Sequence, residues 1–139
     1  MGLHVTIDYS YQMNNKGARI KMENNYKVNL PVDFPVILFN SGKSLEQLGI
    51  SEMAWNWENA IKVIEFLCAF NYVILGGDVY RAVDDKFEVT YDSWYVNKNV
   101  KQSRERFIEE TKNRAISYIK QYYERNGENF YYSIVFDKM

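Results

Sequence analysis

The chain has 139 residues and a mass of 16.5 kDa, the size of one domain. Hydrophobic residues make up 47% and charged residues 25%, a globular composition that excludes wholesale disorder and fibrous repeats. With 17 basic against 18 acidic residues the net charge is -1, so no overall field gathers nucleic acid or anionic lipid.

The first forty residues hold short apolar runs. Residues 4–9 and 19–22 alternate loosely around Asn14-Asn15-Lys16-Gly17, whose Asn and Gly have turn chemistry, and together they suggest a hairpin. Val36-Ile37-Leu38-Phe39 is a continuous apolar run closed by Asn40-Ser41-Gly42, suited to a buried strand or a docked segment. A helix is expected over residues 52–70, with Ser51 as N-cap and Trp57, Ile61, Ile64, Leu67 and Cys68 as its core stripe. Asn71 suits the left-handed position at its end.

Tyr72-Val73-Ile74-Leu75 reads as a buried strand broken by Gly76-Gly77-Asp78. A hairpin then turns at Asp84-Asp85. A two-residue loop pairs Ala82 with Phe87, Arg81 with Glu88 and Tyr80 with Val89. It puts Tyr80, Ala82, Phe87, Val89 and Tyr91 on one face. A three-residue loop would set Arg81 among Val83, Phe87 and Val89, at a cost of several kcal/mol for an unpaired buried guanidinium. The shorter loop is expected.

A second helix is expected over residues 104–125, capped by Ser103 and stopped at Asn126-Gly127. Its buried stripe would be Phe107, Ile108, Thr111, Ala115, Tyr118, Ile119 and Tyr122. Residues 130–136 then form a β-branched and aromatic strand. Strands and helices mix without a βαβ rhythm, so the expected class is α+β, a mostly antiparallel sheet packed by two long helices.

Catalytic chemistry finds little support. His4 is the single histidine, so a histidine-based triad or metal cluster cannot be assembled. Cys68, the single cysteine, lies on an apolar stripe and reads as a small core residue; it also rules out an internal disulfide framework. Gly76-Gly77 leads into a strand instead of a helix, which argues for a tight corner over a phosphate cradle. No enzyme, metal or cofactor is expected. No run of eighteen apolar residues is present, and residues 1–12 lack the pattern of a signal peptide, so a cytoplasmic protein is expected.

Residues 76–92 carry five acidic side chains, Asp78, Asp84, Asp85, Glu88 and Asp92, against two basic ones, Arg81 and Lys86. Trp94 and Tyr95 follow directly. An acidic hairpin beside large rings is a way to meet a basic protein, since charge steers encounter and rings anchor contact. The alternative is a charged, solvated hairpin tip with Trp94 tucked into the core.

The stretch from Ala60 to Tyr95, with Gly76-Gly77-Asp78-Val79-Tyr80 followed by Tyr91-Asp92-Ser93-Trp94-Tyr95, resembles immunity protein family 40 of bacterial polymorphic toxin systems. The resemblance runs over residues 44–136 and leaves 1–43 as an N-terminal extension or added strands of a single domain. It implies a protein that binds and neutralises a toxin domain, and it carries no catalytic residues. The expected toxin-binding set is Asp84, Asp85, Glu88, Asp92, Trp94 and Tyr95. Gly76, Gly77, Asp78 and Tyr80 are motif residues that can serve the fold. A small-ligand module with an aromatic-lined pocket, and a homo-oligomer paired through residues 130–136, are the competing readings.

Overall fold

One long strand organises the sheet. In the computed structural model, which describes residues 30–97 and 102–138 in full and only strand backbone at 4–8, 12–13, 19–20 and 27–29, the chain starts with β1 (His4–Asp8), β2 (Gln12–Met13), β3 (Arg19–Ile20) and β4 (Lys27–Pro31). β1 pairs with β4 and β2 with β3, both antiparallel. The expected hairpin between residues 4–9 and 19–22 is therefore not formed; its Asn14–Gly17 turn lies outside the described residues.

Val36-Ile37-Leu38-Phe39 is not a strand but the start of a short helix, α1 (Val36–Ser41). Leu38 and Phe39 are buried while Ile37 is 81% exposed, so this run has one inner face and not two. β5 (Lys43–Ser44) then pairs with β6 (Met53–Ala54), with a 3-10 turn at Glu46–Leu48 between them.

That pairing corrects the start of the first long helix. α2 (Trp57–Ala69) begins five residues after the expected start. Ser51 is not its cap: the Asn56 side chain accepts the Asn59 N–H at 2.9 Å. Residues 53–54 are drawn into β6 instead, and Trp55 exchanges backbone hydrogen bonds with Tyr132 at 3.0 and 2.7 Å. Ala60, Val63, Ile64, Leu67 and Cys68 line the buried face, with Trp57 and Ile61 at its margin. Asn71 takes a φ of 69°, as its residue type allows.

β7 (Tyr72–Val83) runs straight through Gly76-Gly77-Asp78, which do not break it. It pairs on one side with β8 (Lys86–Tyr95). On the other it pairs first with β10 (Val135–Lys138), then with β9 (Phe130–Tyr132). The expected single strand over 130–136 is thus two strands, separated at Ser133-Ile134. The hairpin register is the expected one: Tyr80 opposes Val89, Arg81 opposes Glu88, Ala82 opposes Phe87 and Val83 opposes Lys86. Asp84 takes the positive φ, 54°, that a tight loop asks of its first residue.

Regular alternation fails further along the hairpin. Asp78 opposes Ser93 while Tyr80 opposes Val89, so Thr90, Tyr91 and Asp92 stand against Val79 alone. Tyr91, expected on the apolar face, is 91% exposed. The bulge has thrown it out.

α3 (Arg104–Asn126) starts at Ser103, whose hydroxyl accepts the Arg106 N–H at 3.3 Å, and ends where Gly127 takes a φ of 87°. Phe107, Ile108, Thr111, Ala115 and Ile119 are buried; Tyr118 and Tyr122 are half-buried. α3 packs on α2 and on β7, where the Thr111 hydroxyl accepts the Ile74 N–H at 3.1 Å. The result is α+β, a mostly antiparallel sheet packed by two long helices.

The sheet is crowded most tightly at Gly77. A Cβ there would collide with the Ser133 carbonyl oxygen on one side and the Trp94 ring on the other. At Gly76 it would collide with the Trp94 carbonyl oxygen, and φ is 153°. Backbone on one flank and a packed indole on the other leave no room to yield. Gly77→Ala should lower stability by about 3 kcal/mol or more, read as a reduced urea midpoint with unchanged slope.

Candidate functional site

The residues singled out from the sequence fall into three environments along β7 and β8. The hairpin tip is the first. Asp84, Asp85, Lys86, Glu88 and Arg81 are all solvent-exposed, with Arg81 opposite Glu88 in register. The tip is steadied at Phe87, whose N–H donates to Gln47 Oε1 at 2.8 Å from the 3-10 turn. Asp84 and Asp85 are thereby held out in water on a short, tight loop, with Glu88 exposed on the strand that follows.

The second environment is interior. Trp94 is 7% exposed and stacks on Tyr118 with ring centroids 4.9 Å apart. Tyr118 stacks in turn on Tyr122, which meets Phe130 and Tyr132 edge-on. Trp94 is therefore a core residue and not an exposed anchor. Its indole fills the space above Gly77 that a Cβ would occupy. Two buried polar atoms in this stack, Trp94 Nε1 and Tyr132 Oη, have no partner among the described residues. Each carries a cost of about 1–3 kcal/mol that ring packing has to outweigh.

Asp92 reaches this stack from outside. Its carboxylate accepts the Tyr122 hydroxyl at 2.7 Å, and its own N–H donates to Thr90 Oγ1 at 3.0 Å. Burial and the neighbouring Asp92 carboxylate push the Tyr122 phenol up to about 12. Asp92 is thus tied to the fold as well as facing solvent.

The third environment gathers Glu52, Asp78, Tyr80, Tyr95 and Ser133. Ser133 is fully buried; its hydroxyl accepts the Asp78 N–H at 3.2 Å and hydrogen-bonds Glu52 and Tyr80. Tyr95, 55% exposed, donates its hydroxyl to the Asp78 carboxylate at 3.2 Å. Tyr80 is buried with Leu45 and Ala54 as a small second core, and burial followed by the Asp78 charge pushes its phenol up to about 12. Asp78 and Tyr80 are thus held by contacts within the fold, and of the two rings that end β8 only Tyr95 faces outward. Glu52 was not legible as part of this set, because it lies 26 residues before Asp78 and reaches it only through the β5–β6 pairing.

Burial pushes the Cys68 thiol up to about 12, far from a nucleophilic thiolate. Among the described residues no three His, Cys, Asp or Glu side chains gather to hold a metal, and no helix is long and apolar enough to cross a membrane. A cleft lined by Phe34, Trp55 and Phe136 has a volume of only about 50 Å³, too small for an organic ligand. A larger one of about 440 Å³ between Val96 and Arg114 has Phe107 as its single aromatic wall. Neither is the aromatic-lined pocket that a small-ligand module would need.

Burial, then the Asp78 charge, holds the Glu52 carboxyl above its ordinary value of 4.5. A folded-state value above the unfolded one means that the native state binds the proton more tightly. Its stabilising contribution is complete at acidic pH and is lost as pH rises through the folded value. Glu52→Gln, which keeps an acceptor for Ser133, should therefore raise the urea midpoint at pH 7. The advantage should vanish toward pH values below the ordinary carboxylate range.

The family model for immunity protein 40 matches residues 44–136. No curated protein and no solved structure is similar to the chain. The matched span opens in β5 and closes in β10, so it takes in the Gly77 crossing, the acidic hairpin and both long helices. The chain belongs to the immunity protein 40 family.

Proposed function

We propose that this protein neutralises a cognate toxin domain by stoichiometric contact, covering the toxin's working surface without transforming any substrate. The single observation that carries the reading is the acidic hairpin. Asp84, Asp85 and Glu88 are solvent-exposed at the end of the β7–β8 hairpin, two of them on its two-residue turn. A patch of that kind complements a basic surface, such as one that a toxin would use to hold an anionic substrate.

Energy and rate divide between different residues in this scheme. Exposed carboxylates at a rim contribute mainly to encounter, and their effect fades as salt screens them. Residence time comes from large rings that leave water on binding, and Tyr95 is available for this at the base of the same arm. Family membership supports the partner class, and the buried thiol of Cys68 agrees with action by occupation.

Charge reversal at the tip tests the reading without touching the core. The double variant Asp84→Lys, Asp85→Lys should still fold, at a cost of about 1 kcal/mol for Lys at the positive φ of Asp84, and associate about tenfold or more slowly with the cognate toxin domain at low salt. Its association rate should also lose its dependence on salt. Stopped-flow association at several ionic strengths reads both. An unchanged rate and salt slope would remove these two residues from the interface.

A further inference from the structure

We infer that Tyr91, lifted out of the sheet by the β8 bulge, is the principal anchor by which this protein grips its basic protein partner. The inference rests on the proposed toxin-binding function and assigns the contact within it.

Conformation is the first observation. Among the described residues three non-glycines have positive φ: Asn71, Asp84 and Tyr91. Asn and Asp tolerate the left-handed region because their short polar side chains bond locally. Tyrosine has no such device. At a φ of 68° it occupies a place where glycine would be more comfortable.

Exposure is the second. The Tyr91 ring is 91% exposed, the highest value among the exposed large hydrophobic residues. It takes part in no hydrogen bond, ion pair or ring contact among the described residues. A side chain that buries almost nothing cannot compensate its own backbone strain, so the fold gains nothing from a ring at this position.

Construction is the third. The bulge is fastened on both shoulders. Thr90 Oγ1 donates to the Val79 carbonyl at 2.8 Å, at the residue the strand pairing skips, and accepts the Asp92 N–H at 3.0 Å. Asp92 in turn accepts the Tyr122 hydroxyl at 2.7 Å, tying the far shoulder to α3. The backbone is thereby fixed on either side of a residue whose side chain points at water. Bulges of this kind re-aim a side chain. A tyrosine presented on a rigid support loses little freedom on binding, which is why such rings dominate interfaces.

The chemistry of the partner follows from the surroundings. β8 pairs with β7 alone among the described strands, and it carries exposed Glu88, Val89, Asp92 and Tyr95 within four residues of Tyr91. An aromatic ring among carboxylates fits a cleft lined by Lys or Arg. There the ring face meets a guanidinium or ammonium while Glu88 and Asp92 meet neighbouring cations. The bound species is a basic protein surface, that of the toxin domain.

The test uses the full chain and the purified, inactivated cognate toxin domain. Tyr91→Ala should speed dissociation by about thirty-fold or more while association changes less than about threefold. Tyr91→Phe, which keeps the ring, should stay close to the wild type. Tyr91→Gly should dissociate as fast as Tyr91→Ala yet raise the melting temperature of the free protein by about 5 °C, because the strain is relieved. Wild-type dissociation from Tyr91→Ala, with a wild-type complex present, overturns this assignment and leaves the proposed function standing. A lower melting temperature for Tyr91→Gly also overturns it, since the ring would then be serving the fold. If the wild-type protein forms no complex with the toxin domain, both readings fall.

Discussion

At one point in this molecule three pieces of chain meet with no slack. Ser133 passes on one side of Gly77 and the Trp94 indole covers the other, and neither could approach a residue with a side chain. The consequence spreads in both directions. Because Ser133 is locked there, its hydroxyl can bind Asp78 N–H, and β9 and β10 fall on either side of it along β7. Because Trp94 is locked there, Tyr118 and Tyr122 stack outward from it to the surface at Asp92, with buried Tyr132 edge-on to Tyr122. The glycine is small so that the sheet can be thick with rings.

The same crossing joins the core to the acidic hairpin. β8 carries both, with Trp94 turned inward and Tyr95 outward one residue later, as strand alternation requires. Asp92 has a foot in each: one face in solvent, one oxygen on the Tyr122 hydroxyl. Surface charge and the geometry that stabilises the fold are therefore not independent along this strand. The outermost carboxylates, Asp84 and Asp85, escape that coupling because the two-residue loop holds them clear of everything else.

What could be read in the sequence, and what could not, follows from the range of the forces involved. The Asp84-Asp85 register was legible because one alternative buries a guanidinium, a penalty large enough to decide alone. Helix α3 was legible through Ser103 and Gly127, whose effects are local. The start of α2 was not, since Ser51 is as good a cap as Asn56 until Met53-Ala54 finds Lys43-Ser44 and Trp55 finds Tyr132. Val36 to Phe39 carried no period that separates strand from helix, and one exposed Ile37 settles it only in three dimensions. Gly76-Gly77 read as a break because glycine usually marks one; here it marks an approach from above. Tyr91 was placed on the apolar face by simple alternation, which a bulge of three residues against one defeats. Membership of the immunity family was legible at the motif level, since Gly-Gly-Asp-Val-Tyr and Trp-Tyr record this crossing in primary structure.

The pairing of Trp55 with Tyr132 has a bearing on how the protein comes into being. Those two residues are bound backbone to backbone across 77 positions of sequence, and Tyr132 is fully buried among the rings of the core. No nascent fragment that stops short of β9 can close this interior, however well α2 and the hairpin have already formed. The core closes only once β9 has joined α2 and the hairpin, and contacts so distant in sequence form more slowly than local ones.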